Sequence, residues 1–156
     1  MSGALGGSDL NPIQRKIQSD LAGQGWSWIW VFDSDAEQPP FAYSVGFGCS
    51  FNHPEVIVVG LPEETSGRVL SSVSAVLAEG RAYGGGDESG EILEGLSVRF
   101  RVVPADLLLA NLVQASVFYG EGSFNALQVI WPDREGNFPD EESAPAWLSE
   151  RQTLSI

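Results

Sequence analysis

The stretch FAYSVGF, residues 41–47, alternates bulky and small side chains. In an extended chain, successive side chains point to opposite faces of the sheet, so Phe41 and Tyr43 share one face while Ala42 and Ser44 share the other. The alternation predicts a strand. Its face of small residues would let another element approach the backbone closely.

Two further apolar runs lie close to this strand in the sequence. Residues 26–32 alternate tryptophans with other side chains, and residues 56–60 form a continuous apolar run, typical of a central strand covered on both faces. Because the connections between the three runs are short, we expect the strands to pair antiparallel. Residues 96–102 and 124–131 are predicted to add two more strands.

Three segments carry helix signals. Asn11-Pro12 supplies a plausible N-cap and a proline at the first helical position, and Gly23 and Gly25 end that helix. Apolar residues at helical spacing predict a second helix over 61–79 and a third over 104–120. The sequence therefore predicts one α+β domain: a mainly antiparallel sheet of about five strands, with about three helices packed on it.

The ends of the chain and one internal segment are expected to lie outside this packed body. Residues 1–10 are rich in Gly and Ser and are expected to be disordered, residues 11–150 to form the domain, and residues 151–156 to form a C-terminal tail. Residues 83–95 are rich in glycine and acids, which predicts a mobile loop. Trp147 is expected to hold the tail on the body.

Acidic residues dominate the charge of the chain. Of 156 residues, 21 are Asp or Glu and 8 are Lys or Arg, which gives a formal net charge of −13, spread over both halves. Such a surface repels phosphate backbones and anionic lipids, so no nucleic acid and no membrane is expected as a partner. It would attract a basic protein partner and accelerate its association. Solubility alone is the simpler explanation of the charge.

Other features of the composition predict a cytoplasmic protein. The N-terminal residues lack the basic and apolar regions of a secretory signal, and no apolar run approaches the length of a membrane span. Cys49 is the only cysteine, so neither an intrachain disulfide nor a cysteine-based metal cluster is expected. We therefore expect no cofactor and no metal. The sequence does not indicate an oligomeric state.

Four blocks of sequence carry a resemblance to a known family: Phe41–Phe47, His53-Pro54-Glu55, Val59–Pro62 and Leu127–Asp133. Together and in this order, over about residues 12–140, they resemble a bacterial family known as domain of unknown function 4262. The resemblance implies neither an activity nor a cofactor. It does imply which positions of this chain belong to the family pattern, namely His53, Glu55, Gln128, Trp131 and Asp133.

These positions, with Tyr43, form the candidate ligand or partner site: Tyr43, His53, Glu55, Gln128, Trp131 and Asp133. A small-ligand or catalytic site would use His53, the only imidazole, with Glu55 two residues on and Asp133 from the last strand. It requires the ends of the two apolar runs to converge on one pocket. The alternative is that His53 is structural, with its imidazole bonding a loop carbonyl and Pro54 setting the turn.

The loop after the last strand contains a partial metal-binding pattern. Asp133, Glu135 and Asn137 alternate as the first ligands of a calcium loop would. The pattern then fails, because Gly136 comes two positions early and Ala144 stands where a bidentate glutamate is needed. The simpler interpretation is a turn in which Asp133 bonds the backbone that follows it.

Three remaining patterns also have simple structural explanations. Cys49 and His53 could form a nucleophilic pair, but no third group to orient them is visible, and a buried free cysteine is more common. The tryptophans of 26–32 are more typical of a core than of a stacking platform. Arg99 and Arg101, on one face of a strand, are expected to form salt bridges with the many acids.

The scarcity of nucleophiles, bases and cationic anchors favours a non-catalytic binding or accessory protein, for example of the immunity type, over an enzyme. The alternative is a small-ligand-binding protein or an enzyme with a site around His53 and Asp133.

Overall fold

The computed structural model describes residues 10–120 and 122–154. The strands in these ranges are β1 (Ser27–Val31), β2 (Phe41–Val45), β3 (Glu55–Val59), β4 (Glu88–Leu93), β5 (Leu96–Val102) and β6 (Ala126–Ile130). The helices are α1 (Pro12–Gln24), α2 (Phe47–Phe51), α3 (Glu63–Ala78), α4 (Ala105–Asn111), α5 (Val113–Tyr119) and α6 (Ala146–Glu150). The predicted disordered segment 1–10 lies outside the described residues except for Leu10, which is buried.

The strands form one sheet in the order β1-β2-β3-β6-β5-β4. The pairs β1–β2, β2–β3, β6–β5 and β5–β4 are antiparallel, and β3 pairs with β6 in parallel. The predicted class, a single mainly antiparallel α+β sheet, is therefore confirmed. The described residues hold six strands and six helices, where the sequence predicted about five and about three.

Both faces of the sheet are covered, as the apolar run of β3 predicted. Val56 and Val58 pack on one face against the apolar stripe of α3, and Ile57 and Val59 pack on the other face with residues of α1, α4 and α5. The small face of β2 lies on the α3 side, where Ala42 is fully buried. The tryptophans of 26–32 also belong to the core: Trp26 is buried, and its two neighbours at 28 and 30 are half-buried against the same cluster.

Four elements differ from the sequence prediction, and one of them is α6, a helix that the sequence did not predict. A short helix, α2, occupies the predicted end of the second strand. The strand β4 forms within 83–95, which we had predicted to be a loop. The helix predicted over 104–120 is divided at Leu112, whose φ of −92° and ψ of 61° are not helical.

The turn from β2 into α2 depends on Gly46. Its φ is +116°, and a Cβ at this position would lie 2.9 Å from the carbonyl oxygen of Gly25. An L-residue would be strained here and would also collide with backbone. The chain therefore leaves the sheet at Gly46, one residue before the predicted end of the strand.

The C-terminal segment docks on the sheet through residues other than the predicted one. Trp147 is 47% exposed, whereas Leu148 is fully buried. The side chain of Gln152 is buried. It donates to the carbonyl oxygen of Trp131 at 2.8 Å and accepts from the backbone N–H of the same residue at 3.0 Å. Leu148 and Gln152, rather than Trp147, hold this segment on the body.

Close contact between Gly60 and the carbonyl of Arg151 makes the docking testable. A Cβ on Gly60, whose φ is +92°, would lie 2.1 Å from that oxygen, whereas Gly95, with φ of +77°, has open space around it. In both Gly→Ala variants the left-handed backbone lowers the free energy of unfolding by about 1–2 kcal/mol. Any further loss of stability at position 60 therefore measures the contact with the carbonyl of Arg151. We expect Gly60→Ala to be the clearly less stable of the two in urea unfolding. Equal stability would show that the C-terminal segment does not press on Gly60 in solution.

Candidate functional site

Four of the six predicted site residues lie at two opposite ends of the sheet, whereas Tyr43 and Gln128 lie in the middle of β2 and β6. Because β3 and β6 are parallel and in register, with Glu55 opposite Ala126, the residues that precede them share one end and those that follow share the other. His53 and Glu55 are at the first end. Trp131 and Asp133 are at the second end, about 15 Å of strand away. The six residues therefore do not converge on one pocket.

The carboxylate of Glu55 is fully buried and saturated with hydrogen-bond donors. Oε1 accepts from the Ser44 hydroxyl at 2.6 Å and from the backbone N–H of Phe47 at 3.2 Å. Oε2 accepts from the N–H groups of Gly46 and Gly48, at 3.3 and 3.0 Å, and from the hydroxyl of Tyr119. One side chain thus joins β2, the first turn of α2, β3 and the end of α5.

Two opposing effects act on the pKa of Glu55. Burial raises the pKa of this carboxyl group above its ordinary value, and the hydrogen bonds from Ser44, Tyr119 and the α2 backbone partly oppose the rise. Burial and the neighbouring Glu55 likewise raise the pKa of Tyr119, so this phenol keeps its proton and remains a donor. The pair is suited to holding these elements together.

His53 is also fully engaged. It is 6% exposed, and its Nε2 accepts from the backbone N–H of Tyr83 at 3.0 Å. Nδ1 lies 2.7 Å from the carbonyl oxygen of Pro54 and must be the protonated nitrogen, since a carbonyl only accepts. Both ring nitrogens are used by backbone, as the structural interpretation of His53 predicted. The ring fixes residue 83, just before β4, to the turn before β3.

Tyr43 and Gln128 each connect the sheet to a covering segment. The hydroxyl of Tyr43 accepts from the backbone N–H of Gln114 in α5 at 2.8 Å, and burial raises the pKa of this phenol to about 12. Gln128 donates from Nε2 to the carbonyl oxygen of Gln152 at 2.7 Å, and its Oε1 accepts from Arg101 at 3.0 Å. Both side chains hold helices or chain ends on the sheet.

Trp131 and Asp133 shape the other end of the sheet. The indole N–H of Trp131 donates to the carbonyl oxygen of Val59 at 2.7 Å, which ties the ends of β6 and β3 together. Asp133 accepts from the N–H groups of Glu135 and Asn137, at 3.0 and 2.9 Å. The carboxylate therefore closes its own turn, as the simpler interpretation of this loop predicted. These hydrogen bonds lower the pKa of Asp133.

At the first end, a depression of about 400 Å³ lies beside the buried carboxylate. We call it the amino-end depression; it is lined by residues 48–49, 52–55, Tyr119 and 123–125. Cys49 is exposed in it, so the expectation of a buried cysteine was wrong. The reason is the short helix α2, which buries Phe47 and leaves Cys49 on its exposed side.

At the second end lies a larger concavity of about 1240 Å³, which we call the carboxyl-end groove. It is formed by residues 36–40, 60–63 and 131–134, by Trp147, Glu150 and Arg151 of the C-terminal segment, and by Trp30, Phe32, Asp33, Leu93 and Leu96. In open, mostly parallel α/β sheets, ligands bind beyond the carboxyl ends of the strands; here β3 and β6 are the one parallel pair among the described strands. This groove lies beyond the carboxyl ends of β3 and β6.

The groove combines exposed aromatic rings with carboxylates. Phe32 is 65% exposed and Trp147 is 47% exposed, while Trp30 is half-buried. Five acids and two arginines line it: Asp33, Glu37, Glu63, Asp133, Glu150, Arg134 and Arg151.

The sequence prediction included only Trp131 and Asp133 of this groove. Phe32 could have been predicted as part of a binding surface, because it is an aromatic residue directly before an acidic loop. Trp147 and Glu150 could not have been placed there, because the docking of α6 depends on contacts distant in sequence.

Two features are absent from the described residues. They contain no cluster of three His, Cys, Asp or Glu side chains arranged to hold a metal ion. No helix in residues 10–120 and 122–154 has both the length and the apolar character needed to cross a bilayer.

Fold and surfaces together define a mixed α+β protein with one sheet, and its carboxyl-end groove is acidic and aromatic. The chain belongs to the family described as domain of unknown function (DUF4262), whose model matches residues 20–145. The four blocks of the resemblance lie inside that match, and α6 lies beyond it. No curated protein and no solved structure shows significant similarity to the chain.

We expect Glu55→Gln to destabilise the fold strongly. In either orientation, the amide NH₂ of glutamine would face backbone N–H groups that now donate to Glu55, which should cost about 2–4 kcal/mol. Urea unfolding measures the loss, with the exposed Glu142→Gln as a control of equal charge change. If the two variants are equally stable, the carboxylate does not organise this end of the sheet.

The lowered pKa of Asp133 predicts a pH dependence. A depressed carboxyl pKa stabilises the folded state above the ordinary value of 3.8, and this contribution is lost as the pH falls through the folded-state pKa. Asp133→Ala should therefore lower the unfolding midpoint at pH 7, and its difference from the wild type should shrink below about pH 4. Glu135→Ala, in the same turn, is the control. If the difference in unfolding midpoint between the wild type and Asp133→Ala is the same below about pH 4 as at pH 7, the charged Asp133 does not stabilise the turn.

Proposed function

We propose that the chain is a non-catalytic cytoplasmic binding protein, and that its carboxyl-end groove holds a basic segment of a protein partner. In this role it would act as an accessory protein, for example of the immunity type, that blocks or carries the partner. The proposal commits to a protein segment as the occupant because the net charge of −13 disfavours nucleic acid and anionic lipid.

The observation that carries the proposal is the exposure of aromatic rings in the groove. Phe32 and Trp147 keep 65% and 47% of their surface in water, and they line the groove together with other apolar residues such as Leu61 and Pro132. Aromatic residues are enriched at the centres of protein interfaces, and contiguous exposed apolar surface marks interaction sites. The rings are therefore candidates for anchoring contacts.

The charge of the groove favours a basic occupant. Five acids against two arginines leave a formal charge of −3 on the lining (−5 + 2). Glu37, Glu63 and Glu150 are exposed, and their carboxylates are positioned to meet cations on a partner. The acidic surface of the whole chain would accelerate encounter with such a partner.

The groups that chemistry would need are engaged elsewhere. Both nitrogens of His53 are bound by backbone, and the carboxylate of Glu55 is buried under five donors. The alternative function, a site around both His53 and Asp133, receives no support from a fold that places them at opposite ends of β3 and β6. These contacts favour binding over catalysis.

A titration with hexalysine, followed by the amide and indole signals of the ¹⁵N-labelled protein, tests the proposal. We expect the indole signals of Trp30 and Trp147 to shift while those of Trp26 and Trp28 stay in place. The double variant Glu37→Lys/Glu150→Lys should bind about tenfold more weakly, since it removes two local attractions and adds two repulsions.

The matched control is Asp106→Lys/Glu142→Lys, which changes the net charge equally at positions outside the groove. If both double variants lose the same affinity, or if the shifts spread over the acidic surface, only net charge matters and the groove is not the binding site. Shifts centred on the amino-end depression would also contradict the proposal.

A further inference from the structure

We infer that the carboxyl-end groove selects arginine over lysine in the segment it binds. This inference rests on the proposed function, and it adds the side chain that the groove recognises. It follows from how this chain already binds an arginine of its own.

Arg99 shows which groups hold a guanidinium in this protein. The guanidinium lies over the ring of Phe138, with its central carbon 3.9 Å from the ring centroid. Glu88 and Asp140 lie on its edges, with N–O separations of 3.5 and 3.2 Å. One aromatic face and two carboxylates thus surround a planar cation at the surface of an acidic domain. The salt bridges expected of Arg99 and Arg101 are thus confirmed for Arg99, whereas Arg101 forms none among the described residues and donates to Gln128 instead.

The groove offers the same kinds of groups without a guanidinium stacked among them in the described residues. Its aromatic faces come from Trp30, Phe32 and Trp147, and its exposed carboxylates from Glu37, Glu63 and Glu150. Of the two arginines in the lining, Arg151 is held within the groove wall, where its Nη2 donates to the carbonyl oxygen of Gly60 at 3.2 Å. The exposed aromatic rings are therefore available to a cation from outside.

Arginine fits such a surface better than lysine does. Its flat guanidinium stacks on aromatic rings while its edge donates two parallel hydrogen bonds to a carboxylate. A lysine ammonium is a strongly hydrated point charge, which gains less from the same face. A groove of acids alone would offer the bidentate hydrogen bonds but no ring face on which the guanidinium could stack.

The walls of the groove are held in place before any partner binds. Asp33 accepts from the backbone N–H groups of Asp35, Glu37 and Gln38, at 3.0, 3.2 and 3.2 Å, and so closes the loop that carries Glu37. Asp133 closes the opposite loop in the same manner. Preformed walls lower the ordering cost of binding and favour the defined geometry that stacking needs.

Calorimetric titration with hexaarginine and hexalysine, under identical salt conditions, tests the inference. The two peptides carry the same charge, so their affinity ratio isolates the shape and stacking of the cation. We expect hexaarginine to bind the wild-type chain about tenfold more tightly. Trp147→Leu and Phe32→Leu should each reduce that ratio, because they remove an aromatic face and keep an apolar side chain. Phe118→Leu, an exposed aromatic on α5 outside the groove, should leave the ratio unchanged.

The outcomes separate the inference from the proposed function. Equal binding of the two peptides at the groove would overturn arginine selectivity and leave the proposed function intact. Binding of neither peptide would overturn both. A preference for arginine that survives Trp147→Leu and Phe32→Leu together would place the selectivity outside the groove and would also overturn the inference.

Discussion

The buried carboxylate of Glu55 is the constraint on which this fold depends. A charge removed from water must be compensated, and here five donors converge on it from β2, α2 and α5. Those donors fix where β2 ends, where α2 begins and how α5 lies against the sheet. Because β3 starts at Glu55 and pairs directly with β6, the same network sets one end of the parallel strand pair.

The two ends of the sheet therefore differ in what their polar side chains contact. At the end of His53 and Glu55, the polar side chains are bound by the chain itself, and Tyr83 and Tyr119 complete the network. At the other end, Asp33 in the loop after β1 and Asp133 in the loop after β6 are used internally, while Glu37, Phe32 and Trp147 face water. Recognition of a partner is available only where side chains remain free to meet one, and that condition favours the second end.

The sequence predicted the parts of this fold that depend on periodicity. The strands around Tyr43, Ile57 and Val98 and the long helix α3 follow from alternation and from a helical apolar stripe. The helix α2 has only five residues, too few to show a period, and it needs Gly46 in a left-handed conformation. The strand β4 was missed because its glycines and acids resemble a loop. Nothing in composition marks Leu112 as the break between α4 and α5.

The site was predicted less completely, for a physical reason. The family pattern identified Glu55, Gln128, Trp131 and Asp133 as special, and the structure shows what is special about them: each satisfies backbone groups of a turn or another element. Residues such as Phe32, Trp147 and Glu150 carry no such signature, since a surface that binds a partner needs no internal hydrogen bonds. Their proximity arises only when the C-terminal segment docks through Gln152.

Hydrogen–deuterium exchange of the chain alone and in complex with its partner from the producing cells would test the central claim most directly. The account predicts slower exchange in residues 33–40, 60–63 and 147–151 on binding, with no change around His53 and Tyr119. Protection confined to residues 48–55 and 119–125 would contradict it, because the contact would then lie at the end of the sheet that Glu55 closes.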